Sequence, residues 1–145
     1  MTKQTIFLGG TVGNNNWREG FIKTLGERGI SQASFFNPVV EHWDREAQQN
    51  EEVAKEKASH LVFFITDPKK EGHPLFGYSL SEAVMALYDK PDRTVVVFDT
   101  RAIAGHALKE MNQTIRVLKK RFSKANIFEK LEDAGDWLAG QISQS

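Results

Sequence analysis

Leu61-Val62-Phe63-Phe64-Ile65 is an unbroken apolar run. A run this short, with no polar residue at alternate positions, is expected of a strand buried on both faces. Strands of that kind sit in parallel sheets covered by helices on both sides. Ile6-Phe7-Leu8 upstream and Val95 to Phe98 downstream read the same way. Ala33 to Phe36, ended by Asn37-Pro38, and Ala125 to Phe128 supply two further short strands. Helical periods separate them. Trp17, Phe21 and Leu25 recur at helical spacing before Gly29, and Asp44 can cap a polar helix running to about Ala58. Leu80, Ala83, Val84, Leu87 and Tyr88 form a stripe, as do Ala104, Leu108, Met111, Ile115, Leu118 and Phe122. Leu131, Ala134, Leu138 and Ile142 close the chain with a helix. Strict alternation predicts an α/β fold: a doubly wound five-stranded parallel sheet, order 2-1-3-4-5, flanked by helices, as one domain over residues 1–145.

In that strand order the winding reverses between strands 1 and 3, and ligands favour the crevice there, at the carboxyl ends of the strands. Two loops would flank it. One is Gly9-Gly10-Thr11-Val12-Gly13-Asn14-Asn15-Asn16 after strand 1. The other, Thr66 to Tyr78, exceeds the usual connection of about 2–6 residues, which suggests a specificity loop. Its Gly72 and Gly77, and Lys69 and Lys70, suit a segment that orders over a phosphate; a solvated surface loop is the plainer reading.

Composition narrows the function classes. Nineteen basic residues balance nineteen acidic ones, so charge gives no case for duplex nucleic acid or an anionic membrane as partner. Lys119, Lys120 and Arg121 read as a solvated helix end, where cations suit the dipole. The chain has no cysteine, which excludes disulfides and thiolate metal sites and fits the cytoplasm. No apolar run approaches the roughly 18 residues that cross a bilayer, and the start has no signal-like stretch. His42, His60, His73 and His106 show no ligand spacing, so neither a metal nor a cofactor is expected.

Several residues carry two readings each. Gly9 and Gly10 let backbone approach a ligand closely, with Thr11 beside them; they also suit a tight strand-to-helix turn. The glycine spacing matches neither the dinucleotide fingerprint nor a P-loop. Ser79-Leu80-Ser81-Glu82 is a capping box by spacing, with Ser79 as N-cap. The same geometry would hold Glu82 ionised near a helix start, as attack on an anomeric carbon requires. Asp67 is placed to contact a ribose hydroxyl or move a proton, or simply opens an Asp-Pro turn. Asn37 can bind a ligand hydroxyl or end strand 2. Trp17 can stack on a base, although its phase with Phe21 and Leu25 favours the core.

Ile6-Phe7-Leu8-Gly9-Gly10-Thr11, then Trp17-Arg18, then Phe36-Asn37-Pro38, then Gly77-Tyr78-Ser79-Leu80-Ser81-Glu82 resemble the nucleoside 2-deoxyribosyltransferase-like family in order and phase. The resemblance implies cleavage or transfer at the N-glycosidic bond of a nucleoside or nucleotide. It implies Glu82 as the nucleophile, forming a glycosyl ester that a second base or water resolves. It implies Ser79 and Ser81 as holders of the sugar or its 5′ substituent, next to Gly77, and a homo-oligomer whose copies complete each other's sites. The chain departs from the family pattern at Phe7, where many members carry a tyrosine that orients the glutamate. It departs again at His73-Pro74-Leu75-Phe76, which lacks an acidic residue. These departures keep a second class in play: a catalytically silent nucleotide or nucleotide-sugar sensor on the same fold. A phosphoribohydrolase or NAD-cleaving enzyme is a third.

Overall fold

A computed structural model describes residues 4–11, 17–30, 34–38, 44–66 and 77–143. Its strands are β1 (Thr5–Gly10), β2 (Ser34–Phe36), β3 (His60–Ile65), β4 (Thr94–Phe98) and β5 (Asn126–Phe128). Its helices are α1 (Trp17–Glu27), α2 (Arg45–Lys57), α3 (Gly77–Asp89), α4 (Gly105–Arg121) and α5 (Leu131–Ser143). The five strands form one sheet in the order β2-β1-β3-β4-β5, with every pairing parallel. The winding reverses between β1 and β3, as the sequence predicts, and these two strands pair from Ile6↔His60 to Gly10↔Phe64.

The period of two explains the unbroken apolar runs. Leu61, Phe63 and Ile65 face one core, with Phe7, Val96 and Phe98, under α3, α4 and the Ala54–Ala58 end of α2. Val62 and Phe64 face the other, with Ile6, Leu8, Val95 and Val97, under α1 and α5. A strand between two helical layers has no solvent face, so it carries no polar positions. Trp17 belongs to this second core: it packs on Phe64 at 5.1 Å and is 6% exposed, which resolves its two readings in favour of packing.

Local signals place the helix ends. Gly29 (φ +85°) lets the chain turn out of α1. The Ile30 N–H donates to Leu25 O (2.9 Å) and the Gly29 N–H to Gly26 O (3.0 Å), the paired bonds of a Schellman close. Asp44 is the N-cap of α2 and accepts from the Ala47 N–H at 2.8 Å. The stripe of α4 is taken up by the core through Met111, Ile115 and Leu118, with Leu108 and Phe122 packed against them. Val117 faces outward from the same helix.

The close approach that Gly9 and Gly10 permit is to the protein itself. A Cβ on Gly10 (φ +122°) would collide with the Phe64 carbonyl, and one on Gly9 would press on the rings of Phe63 and Phe7. The strand-to-turn reading of these glycines thus has a full structural basis, and it leaves the ligand reading open.

Candidate functional site

The carboxyl ends of β1, β3 and β4 are stitched together by hydroxyls. Thr11 Oγ1 donates to Thr66 O (3.0 Å) and accepts from the Thr66 N–H (2.9 Å). Thr66 Oγ1 in turn donates to Asp99 O (2.9 Å). Thr11 is 5% exposed and its hydroxyl is engaged by this stitch. Asp99 is held by Arg101 through both carboxylate oxygens, which keeps its carboxyl below the usual range despite partial burial.

Arg18 supports the same edge from behind. It stands in the first turn of α1, is 4% exposed, and lies over the Trp17 ring. Its Nε donates to Leu8 O (3.0 Å), Nη1 to Thr11 O (3.2 Å) and Nη2 to Gly10 O (3.3 Å). Three strand-end carbonyls, which have no further strand residue to accept from, are thereby satisfied. Burial lowers the Arg18 pKa to about 10, while the charges of Glu51 and Glu82 pull it back up. The guanidinium that grips Gly10 and Thr11 therefore lies within electrostatic reach of Glu82.

Glu82 does not cap its helix. Because α3 begins at Gly77, Ser79 lies inside it and Glu82 falls in the second turn; its first turn holds no acidic residue. The capping-box expectation is thus corrected: three-residue spacing marks a cap only where the helix starts at the serine. Ser81 is exposed and its hydroxyl donates to Tyr78 O (2.7 Å). Ser79 is half-buried. The Glu82 side chain instead crosses to α2, where Lys55 Nζ donates to Oε2 at 2.6 Å. A second carboxylate, Glu51, stands one turn earlier on α2 and works on Glu82 in the opposite sense to Lys55. Burial, then Glu51, push the Glu82 pKa up from the ordinary 4.5 to about 7, against the opposing pull of Lys55. Partial burial and the carboxylates of Glu82, Glu51 and Glu52 raise the Tyr78 phenol to about 12.

Sequence reading missed Glu51, Lys55 and the grip of Arg18. A signal for the first two was present. On α2 the small residues Ala47, Ala54 and Ala58 mark the inward stripe by helical spacing, and Glu51 and Lys55 fall on it. Charged residues on a stripe otherwise made of alanine are there for a partner.

Other expected residues lie apart or outside the described part. Asn37, past β2, lines a cleft of about 610 Å³ with Phe36, Pro38, Asp44, Asn50 and Val53. Glu82 and Lys55 are not among the described residues lining it. Asp67, Lys69, Lys70, Gly72, His73 and the stretch Val12 to Asn16 fall outside the described residues. Phe7 is fully buried and stacks on Phe36 at 5.7 Å, so strand 1 presents an apolar ring here.

A family model described as "Nucleoside 2-deoxyribosyltransferase like" matches residues 3–102. The chain belongs to that family. The match spans β1 to β4 and so includes Gly9 to Thr11 and Gly77 to Glu82. Comparison with curated proteins finds no match. Membership in a nucleoside 2-deoxyribosyltransferase-like family points to an enzyme acting on a small nucleoside-type substrate by glycosyl transfer. Among the described residues no helix is long and apolar enough to cross a membrane.

Proposed function

We propose that this protein breaks the N-glycosidic bond of a nucleoside or nucleotide, with Glu82 as the nucleophile. The observation that carries the reading is the Glu82 carboxylate itself. It is 4% exposed, follows β3 on α3, and is held by a cation at 2.6 Å. A buried carboxylate that is directed by a hydrogen bond is suited to attack an anomeric carbon.

In this reaction a Glu82 oxygen bonds to the anomeric carbon as the carbon–nitrogen bond breaks. The electron pair passes to the base nitrogen, which takes up a proton, and Asp67, next after Thr66, is the proposed donor. The sugar ester then yields to the nitrogen of a second base, giving a new nucleoside, or to water, giving free sugar. Either acceptor loses one proton, and Glu82 is regenerated. Gly9, Gly10, Thr11, Gly77, Ser79 and Ser81 are the proposed frame for the sugar, and Asn37 a contact further along the edge. The homo-oligomeric, cytoplasmic state expected from the resemblance stays part of this proposal. Outward Tyr78, Met85, Tyr88 and Val117 offer apolar surface for assembly. A light-scattering mass of one 16.4 kDa chain across micromolar concentrations would remove the assembly.

One observation favours the silent sensor: at Phe7, where many family members carry a tyrosine that orients the glutamate, stands a fully buried apolar ring stacked on Phe36. A panel of nucleosides, their 5′-phosphates and NAD, each with and without a second free base, separates the readings. Release of free base from any member, by chromatography, is the expected result. Calorimetric binding of a nucleotide with no base released from any member would establish the sensor instead.

A further inference from the structure

We propose that Lys55 is a positioning residue for the N-glycosidic reaction, holding Glu82 as a carboxylate aimed at the sugar while Glu51 competes for it from the same helix. This rests on the reading of Glu82 as the nucleophile. The geometry is a Lys55–Glu82 pair across two helices, with Glu51 one turn before Lys55. Lys55 Nζ reaches Glu82 Oε2 at 2.6 Å, with the two side chains 19% and 3% exposed. Glu51 and Lys55 are four residues apart on α2 and so lie on one face of it. Both lie on its inward stripe, beside Ala54.

The two helices are also tied together beyond this pair. Lys90, directly after α3, donates through Nζ to Lys55 O (2.9 Å), Glu56 O (2.7 Å) and Ala58 O (3.2 Å). These carbonyls close α2, which otherwise leaves its last acceptors unsatisfied. One cation thus fixes the end of α2 against the end of α3, and with it the separation of Lys55 from Glu82. Positioning of this kind needs a rigid supporting shell.

The chemistry requires such a cation. Glu82 attacks only as the carboxylate, and burial together with Glu51 favours its protonated form. The other charged or titratable groups near the pair are Arg18 from α1, Tyr78 from α3 itself and Glu52 on α2. Arg18 has its guanidinium engaged by Leu8, Gly10 and Thr11 carbonyls. The Tyr78 phenol is pushed up to about 12 and stays neutral. Glu52, which acts on Tyr78, adds negative charge. Lys55 supplies the direct charged hydrogen bond that works against burial and the acidic neighbours.

The test uses the intact chain with Lys55→Met, Lys55→Arg and Glu51→Gln. It reads the acid limb of the kcat/KM profile for base release, and the Glu82 side-chain carboxyl titration by carbon NMR. Lys55→Met should move both upward by about one pH unit or more, a roughly tenfold loss below the midpoint that higher pH restores. Lys55→Arg should keep the limb near its original place, and Glu51→Gln should lower it. A Lys55→Met variant that melts earlier but keeps the original limb and titration overturns the proposal. If Lys55→Met does not fold, the other two variants decide: an unmoved Glu82 midpoint in Glu51→Gln, or a displaced one in Lys55→Arg, overturns it. If the unmodified protein releases no base, the proposed function fails with the role assigned to Lys55. The NMR shift would then still report the pair, which separates the two failures.

Discussion

Glu82→Gln is expected to lower turnover by about a thousandfold or more while leaving the fold intact. The two effects separate because glutamine matches the shape and the hydrogen bonding of the site. Its side-chain oxygen can accept from Lys55, and its amide N–H can donate to Glu51. What it lacks is a lone pair basic enough to bond to the anomeric carbon. Nucleophile removals in enzymes with covalent intermediates cost orders of magnitude for this reason. A slow 2′-fluorinated substrate should leave a sugar-sized mass on Glu82 in the original protein and none in the glutamine variant. The pH dependence of stability gives a second readout with a definite sign. The Glu82 pKa is raised in the folded protein, from 4.5 to about 7. The folded state therefore holds this proton more tightly than the unfolded chain. The resulting stabilisation is fully present below about 4.5 and is lost as pH rises through about 7. Glutamine does not titrate, so urea unfolding should show the variant gaining on the original protein across that window. A glutamine variant that still releases base would leave Glu82 as a buried structural charge and assign the bond cleavage to another group.

Much of this arrangement was legible because the sheet imposes simple periods. Leu61 to Ile65 could only be a strand with two covered faces, and that run carries most of the topology with it. Gly29 and Asp44 act through local backbone geometry, so they could be placed from neighbours alone. The Ser79–Glu82 spacing failed where local rules compete. Helix α3 begins two residues before Ser79, and the Glu82 side chain finds its partner on another helix. Lys55 and Glu82 are 27 residues apart in sequence, and Arg18 finds its acceptors on a strand that precedes it. No periodicity encodes such pairs, because they depend on how α2 crosses back over the sheet to reach β3. The resemblance could locate Glu82, but it could not supply Lys55, which stands outside the motifs that carry it.

Arg18→Met is expected to cost about 3 kcal/mol or more of stability and to weaken nucleotide binding along with it. Methionine can fill much of the space beneath the guanidinium and keep contact with Trp17. It cannot donate to Leu8 O, Gly10 O and Thr11 O, although Thr11 O keeps Trp17 Nε1 as a donor. A buried acceptor left without a donor costs about 1–3 kcal/mol, and relief from burying the guanidinium offsets part of the sum. Lysine at the same place should recover only part of the loss, because one ammonium cannot match the fork that spans three carbonyls. The functional effect follows from position. Those carbonyls end β1 at the crevice, and the stitch from Thr11 to Thr66 depends on their placement. Loosening them moves the floor on which a sugar would rest and removes a positive charge that Glu51 and Glu82 both feel. Urea unfolding and calorimetric titration with a nucleotide, run on both variants, check the two effects. An Arg18→Met protein as stable as the original would mean that water satisfies these carbonyls, and that the grip of Arg18 does not hold the site together.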